Sequence, residues 1–149
     1  GGDVVAIYHS AKADGAEARQ FWHDEYLVNA QIGRYPKPYV AIMDGITMGG
    51  GVGISAHGSV RIATDTTKMA MPEVGIGFIP DVGGTYLLAR TPGLLGLHAA
   101  LSGAPFTGAD AIAMSTKAIT ISVVNMIWCM KFQSRNFIRH LLRLVGTLL

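Results

Sequence analysis

Apolar and polar positions alternate along this chain in several distinct rhythms. Between Phe21 and Ile32 the rhythm is helical: Phe21, Val28 and Ile32 share one stripe, which predicts a helix across 11–33. Glu25 falls on the same stripe, four residues after Phe21 and three before Val28. A carboxylate on an apolar stripe is costly to bury unless it is paired or used. The other reading puts it at the stripe's edge, reaching water. Before this helix the chain opens with Gly1, Gly2 and Asp3 and an apolar segment, VVAIY. After it, Pro36 and Pro38 stop the helix and launch a short buried-strand pattern, Tyr39–Met43.

Asp44–Gly58 comes next, with glycine at 45, 49, 50, 51, 53 and 58. Such density means that the backbone takes positive φ repeatedly or must approach something closely. A helix is expected over 52–57. Val60–Thr64 and Lys68–Met71 read as two short strands around the turn-prone Asp65, Thr66 and Thr67. Pro72 ends the second strand, with Glu73 directly after it, and 74–84 is a Gly/Pro-rich loop containing Asp81. Short helices follow over 85–90 and 94–101, the latter stopped by Gly103 as a C-cap. Thr107 and Asp110 form a capping-box pattern that opens a helix over 109–114.

From Ser115 the texture changes. Residues 120–130 are β-prone, and 137–145 set Phe137, Ile138, Leu141, Leu142 and Leu144 beside Arg139, His140 and Arg143. That basic amphipathic stretch fits a docking helix, an interfacial segment or sequence that never packs. Charge breaks at the same place. Residues 1–114 carry seven Lys/Arg against ten Asp/Glu, while 115–149 carry five Lys/Arg and no acid. The net +2 therefore hides two regions of opposite sign and gives no basic surface of the kind that binds nucleic acid.

At 149 residues, half of them apolar, the chain is long enough for one domain with a sizeable core. Its single cysteine, Cys129, excludes an intrachain disulfide framework and a cysteine-rich metal site. His9, His23, His57, His98 and His140 show no metal-ligand spacing and read as surface or half-buried residues. The longest apolar run, 118–130, falls short of the roughly 18–20 residues of a membrane span.

Two chemistries compete for the glycine stretch. Gly51, Gly53 and Ala56 fit a dinucleotide fingerprint, with Glu73 twenty residues past Gly53. Met48 and three further glycines, Gly45, Gly49 and Gly50, stand between the strand and that motif where such a turn would be tight, which weakens the match. The stronger reading makes the glycines an oxyanion hole: backbone N–H groups at a helix start hold a carbonyl oxygen as it gains charge. A nearby carboxylate would then move protons. Glu73, fixed by Pro72 at a strand end, is the leading candidate, against an ordinary solvated loop carboxylate. Asp81 could line the same site or serve as a turn or cap residue.

These residues carry a resemblance. Gly45–Gly53, the corner Met71-Pro72-Glu73 and the run Ile79-Pro80-Asp81-Val82-Gly83-Gly84 resemble the crotonase (enoyl-CoA hydratase/isomerase) superfamily. Gly1-Gly2-Asp3 is similar to the end of that superfamily's A-G-[AG]-D segment. Within it, ITMGGGVG, MPEVGIG and PDVGG resemble most closely the 3-hydroxyisobutyryl-CoA hydrolase family. The resemblance implies an α/β fold with a crotonase-like ββα spiral core. It implies hydrolysis of 3-hydroxyisobutyryl-CoA to 3-hydroxyisobutyrate and CoA in valine breakdown, with no cofactor beyond the CoA of the substrate. The thioester carbonyl would sit between the N–H groups of Gly2 and Gly50. Glu73 would activate water or attack the thioester carbon, and Asp81 would contact the hydroxyl end of the substrate or assist with protons. Glu25 falls where these hydrolases have a substrate-contacting glutamate. The similar hydratases carry a second catalytic glutamate three residues after the oxyanion-hole glycine. Gly53 stands there instead, which favours the hydrolase over an enoyl-CoA hydratase or isomerase.

The superfamily's core begins before the position of Gly1 and continues differently after that of Met114. The chain is therefore expected to be a crotonase-like core fragment, 1–114, followed by a divergent tail, 115–149. A non-catalytic fragment that binds CoA esters or intact subunits is the competing expectation. The resemblance leaves homo-oligomer assembly open and points to mitochondria or peroxisomes, with no targeting signal visible.

Overall fold

The computed structural model describes residues 2–114; the tail expected at 115–149 lies outside the described residues. Two helices lead. Helix α1 (Val4–Lys12) is capped by Asp3, whose Oδ1 accepts from the N–H groups of Val5 at 3.0 Å and Ala6 at 3.1 Å. Helix α2 (Ala16–Gly33) follows after a break at Gly15, which takes φ 72. The single helix expected over 11–33 is thus two, because the Asp14-Gly15 pair turns the chain. Ala18, Asn29 and Ile32 are buried on α2, while Val28 is 46% exposed. The inward stripe runs through Asn29 and not through Val28.

Strands β1 (Val40–Met43) and β2 (Ile46–Met48) meet at a corner where Gly45 has φ 82, and helix α3 (Gly50–Ser55) follows. The sequence pattern missed β2, since a three-residue strand beside so many glycines carries no periodicity. Strands β3 (Val60–Ala63) and β4 (Lys68–Ala70) repeat the pair, ending in a 3₁₀ turn over Pro72–Ile76. First strands pair with first strands and second with second: β1 lies parallel to β3 with Val40 opposite Val60, and β2 parallel to β4 with Ile46 opposite Lys68. That is a ββα unit advancing by one turn of a spiral, as expected. A two-residue strand, β5 (Phe106–Thr107), adds antiparallel to β4.

The two corners are tied by side chains. Thr64 donates to Asp44 Oδ1 at 2.8 Å, and the N–H of Thr64 donates to Thr67 Oγ1 at 2.7 Å. Thr67 in turn donates to the Met43 carbonyl. Met43, Val52, Ala63, Met69, Met71 and Val82 form the core beneath α3. Helices α4 (Gly84–Leu88), α5 (Leu95–Ser102) and α6 (Gly108–Met114) complete the described fold. Gly96 lets α5 close on α4, since a Cβ there would stand 2.0 Å from the Leu88 carbonyl oxygen. The capping box forms: Thr107 N–H donates to Asp110 Oδ2 at 2.9 Å, and Asp110 N–H donates to Thr107 Oγ1 at 3.2 Å.

Candidate active site

Pro72 opens the 3₁₀ turn, where a fixed φ and a missing N–H cost little, and this aims Glu73 inward. Glu73 is only 8% exposed. Its Oε1 lies 3.2 Å from the place where a Cβ on Gly49 would stand, and its Oε2 is buried with no hydrogen-bond partner. Gly49 takes φ 50 and caps α3. Gly50 and Gly51 are the first two helical residues, so their N–H groups have no acceptor inside the helix. A buried carboxylate and a bare helix start are brought side by side. With Gly51 and Gly53 inside α3 and not in a strand-to-helix turn, the dinucleotide fingerprint lacks its geometry.

Glu25 and Asp81 join this cluster. Burial pushes the Glu73 carboxyl up from its ordinary range; its own N–H opposes that, and the Asp81 charge adds to it. Burial also raises Glu25, again reinforced by Asp81. Asp81 itself is raised by burial, against hydrogen bonds from its own N–H and the Trp22 indole. Trp22 stacks on Phe78 with centroids 5.4 Å apart, which fixes the indole over this loop. Partly desolvated carboxyls, two of them facing the Asp81 charge, hold protons more tightly than carboxyls in water do. Glu25 does not simply reach solvent from a stripe's edge: its Oε2 is buried and without a partner.

Gly2 is the least tied of the expected site residues. It is exposed, and a Cβ on it would lie 2.8 Å from Phe21 Cζ, one helical turn before Glu25. It therefore borders the cluster through Phe21 on α2. Sequence reasoning missed Trp22, Tyr26 and Asn29. Burial raises the Tyr26 hydroxyl pKa, helped by Asp81 and Glu25, while the Gly83 backbone hydrogen-bonds it. All three share α2 with Glu25; Trp22 and Asn29 stand three before and four after it, so a helical projection centred on Glu25 instead of on the apolar residues would have found those two.

The loop carrying Asp81 is strained. Val82 has φ 49, a costly conformation for a β-branched residue, and it is held there by His57, whose Nε2 lies 2.8 Å from the Val82 carbonyl oxygen. The result is that Val82 packs onto Gly53. A Cβ on Gly53 would stand 2.6 Å from Val82 Cβ and 3.1 Å from Asn29 Oδ1. No side chain fits at that position without moving the loop. Among the described residues, no cluster of His, Cys, Asp and Glu has the arrangement of a metal site, and no helix is long and apolar enough to cross a membrane.

The sequence profile of the enoyl-CoA hydratase/isomerase family matches residues 1–124. The chain belongs to that family. Its spiral core is correspondingly similar to a Rhodobacter sphaeroides enoyl-CoA hydratase structure, at 36% identity and TM-score 0.78 over 98% of this chain and 40% of the other. A Mycobacterium thermoresistibile structure named carnitinyl-CoA dehydratase is 78% identical, with TM-score 0.76 over 80% of this chain and 36% of that one. The mitochondrial 3-hydroxyisobutyryl-CoA hydrolase of Xenopus tropicalis is 54% identical over 110 residues, 74% of this chain and 29% of that relative. The chain thus spans less than a third of that relative's length. This family member has the crotonase-type α/β fold.

Proposed function

We propose that the protein carrying this chain hydrolyses a short branched hydroxyacyl-CoA thioester, 3-hydroxyisobutyryl-CoA, with Glu73 as the base. The observation that carries the reading is the Glu73 carboxylate buried against the glycine-capped start of α3. In this reading the substrate's carbonyl oxygen accepts from the N–H of Gly50, with that of Gly2 as second donor. Glu73 takes a proton from water while the water oxygen bonds to the thioester carbon. The two donors hold the resulting oxyanion, and preorganised donors in a dry site are worth several kcal/mol there. When the carbonyl re-forms, the carbon–sulfur bond breaks and the thiolate recovers the proton from Glu73, giving the free acid and CoA. A raised pKa suits this task, because a stronger base accepts the proton more readily. Asp81 assists with protons, and Glu25 contacts the substrate.

A second reading, hydration or dehydration of the acyl chain, draws on the names of the Mycobacterium and Rhodobacter relatives. Gly53 argues against it. A two-glutamate mechanism would need a second carboxylate at that position, and Val82 and Asn29 fill the space where its side chain would begin. The deciding experiment is CoA-thiol release from 3-hydroxyisobutyryl-CoA by wild type and Glu73→Gln. The reading expects a loss of about a hundredfold or more in the variant, with CoA-ester binding retained. Undiminished release would remove Glu73 as the base.

A further inference from the structure

Asn29 is 5% exposed, and its amide Nδ2 has no hydrogen-bond partner. A buried amide left unpaired is destabilising, so its place calls for an explanation. It follows Glu25 by four residues on the inward face of α2, and the Glu25 Oε2 is likewise buried and unpaired. Across from it is the glycine face of α3. Glu73 Oε1 abuts Gly49, and Asn29 Oδ1 abuts Gly53 at 3.1 Å from the would-be Cβ. Gly49 and Gly53 are one helical turn apart, roughly 6 Å along the axis. The two missing side chains on α3 therefore mark the spots where Glu73 and Asn29 come down on it. One of these groups moves protons; the other cannot titrate and brings only amide N–H donors and a carbonyl oxygen.

We infer that Asn29 is a specificity residue that, together with Glu25, reads a hydroxyl group on the acyl part of the substrate. A hydroxyl has one O–H donor and two acceptor lone pairs. It accepts from the unpaired Asn29 Nδ2 and donates to the unpaired Glu25 oxygen, so one small group satisfies both. The roughly one-turn spacing from Glu73 matches a hydroxyl a few bonds from a reacting carbonyl and not one on the CoA portion. An ester without the hydroxyl leaves both protein groups buried and unpaired, which is the strongest form of discrimination that a pocket can exert.

The inference deepens the thioesterase reading, and the experiment separates the two. In the full chain, kcat/KM is measured for 3-hydroxyisobutyryl-CoA and for isobutyryl-CoA, which lacks only the hydroxyl. The variants are Asn29→Ala and Asn29→Leu; the second keeps the volume and removes both polar atoms, which safeguards folding. The expected result is a preference for the hydroxyl ester in wild type and a fall in that preference of tenfold or more in both variants, with the loss on the hydroxyl ester. Equal proportional losses on the two esters overturn the inference, because a merely structural role would produce them. Thermal stabilisation by each ester is also measured in the Glu73→Gln background. There, the hydroxyl ester stabilises more while Asn29 is present and equally once it is replaced. If wild type cleaves neither ester, the thioesterase reading falls, and this binding difference decides Asn29 alone: equal stabilisation with Asn29 present overturns it.

Discussion

Glu25, Glu73 and Asp81 are each held above the usual carboxylate range, in every case mainly by loss of water. An acid whose folded pKa is raised favours folding below its unfolded pKa, and that contribution is lost as pH rises through the folded value. At neutral pH the cluster therefore works against the fold. Glu25→Gln keeps the shape and removes one of the interacting charges. Its thermal midpoint is expected to exceed wild type at pH 7.5, and the gap should close as pH falls below about 4.5, the ordinary range of a glutamate. Turnover of the hydroxyl ester should drop in the same variant, since stability gained by removing a strained functional group is paid in function. A midpoint lower than wild type at pH 7.5 would mean that the charge is stabilised by partners and not merely tolerated.

Among the elements, the pairing of successive ββ units depends on their corners. Thr67 is 2% exposed and joins the end of β1, through the Met43 carbonyl, to the turn between β3 and β4, through the N–H of Thr64. Thr67→Val keeps the shape but leaves a buried carbonyl and a buried N–H unpaired, at a cost of about 1–3 kcal/mol. Urea unfolding should show the midpoint fall with an unchanged slope; a change within a few tenths would show that the corners are held by packing alone. Such ties are hard to read from a sequence, because Asp44 and Thr64 are distant along the chain and only the spiral brings them together. Signals that are local were legible: the strand patterns at 39–43 and 60–64 form as Val40–Met43 and Val60–Ala63, and the Gly103 cap and the Thr107/Asp110 box form too. The three carboxylates were legible one at a time. That they form one cluster, and that Asn29 belongs with them, depends on how α2 lies across α3. The break at Gly15 and the strand Ile46–Met48 were missed because a single turn residue and three strand residues are too short for any period to emerge.

At the scale of the molecule, the described sheets are narrow. Among the described residues β1 pairs with β3 alone and β2 with β4 alone, so each ends its sheet as an edge. The two strands are consecutive, and they carry Ile42 at 58% and Ile46 at 77% exposure, on either side of the Asp44-Gly45 corner. Bare edges bearing β-branched apolar residues recruit further strands, and a soluble protein blunts them with charge or covers them. Leu94, Leu97 and Leu101 add exposed apolar area around α5. A chain with this surface should associate. Sedimentation velocity on the 149-residue chain should show the average mass rising with concentration. An Ile42→Lys, Ile46→Lys pair, which sets a charge on each edge, should return it toward the monomer. Because both residues are already exposed, the pair should cost little in folding stability, and the urea midpoint should move far less than for Thr67→Val. A wild-type chain that stays monomeric across the concentration range would show that these edges are already protected, and it would remove self-association as a consequence of the narrow sheets.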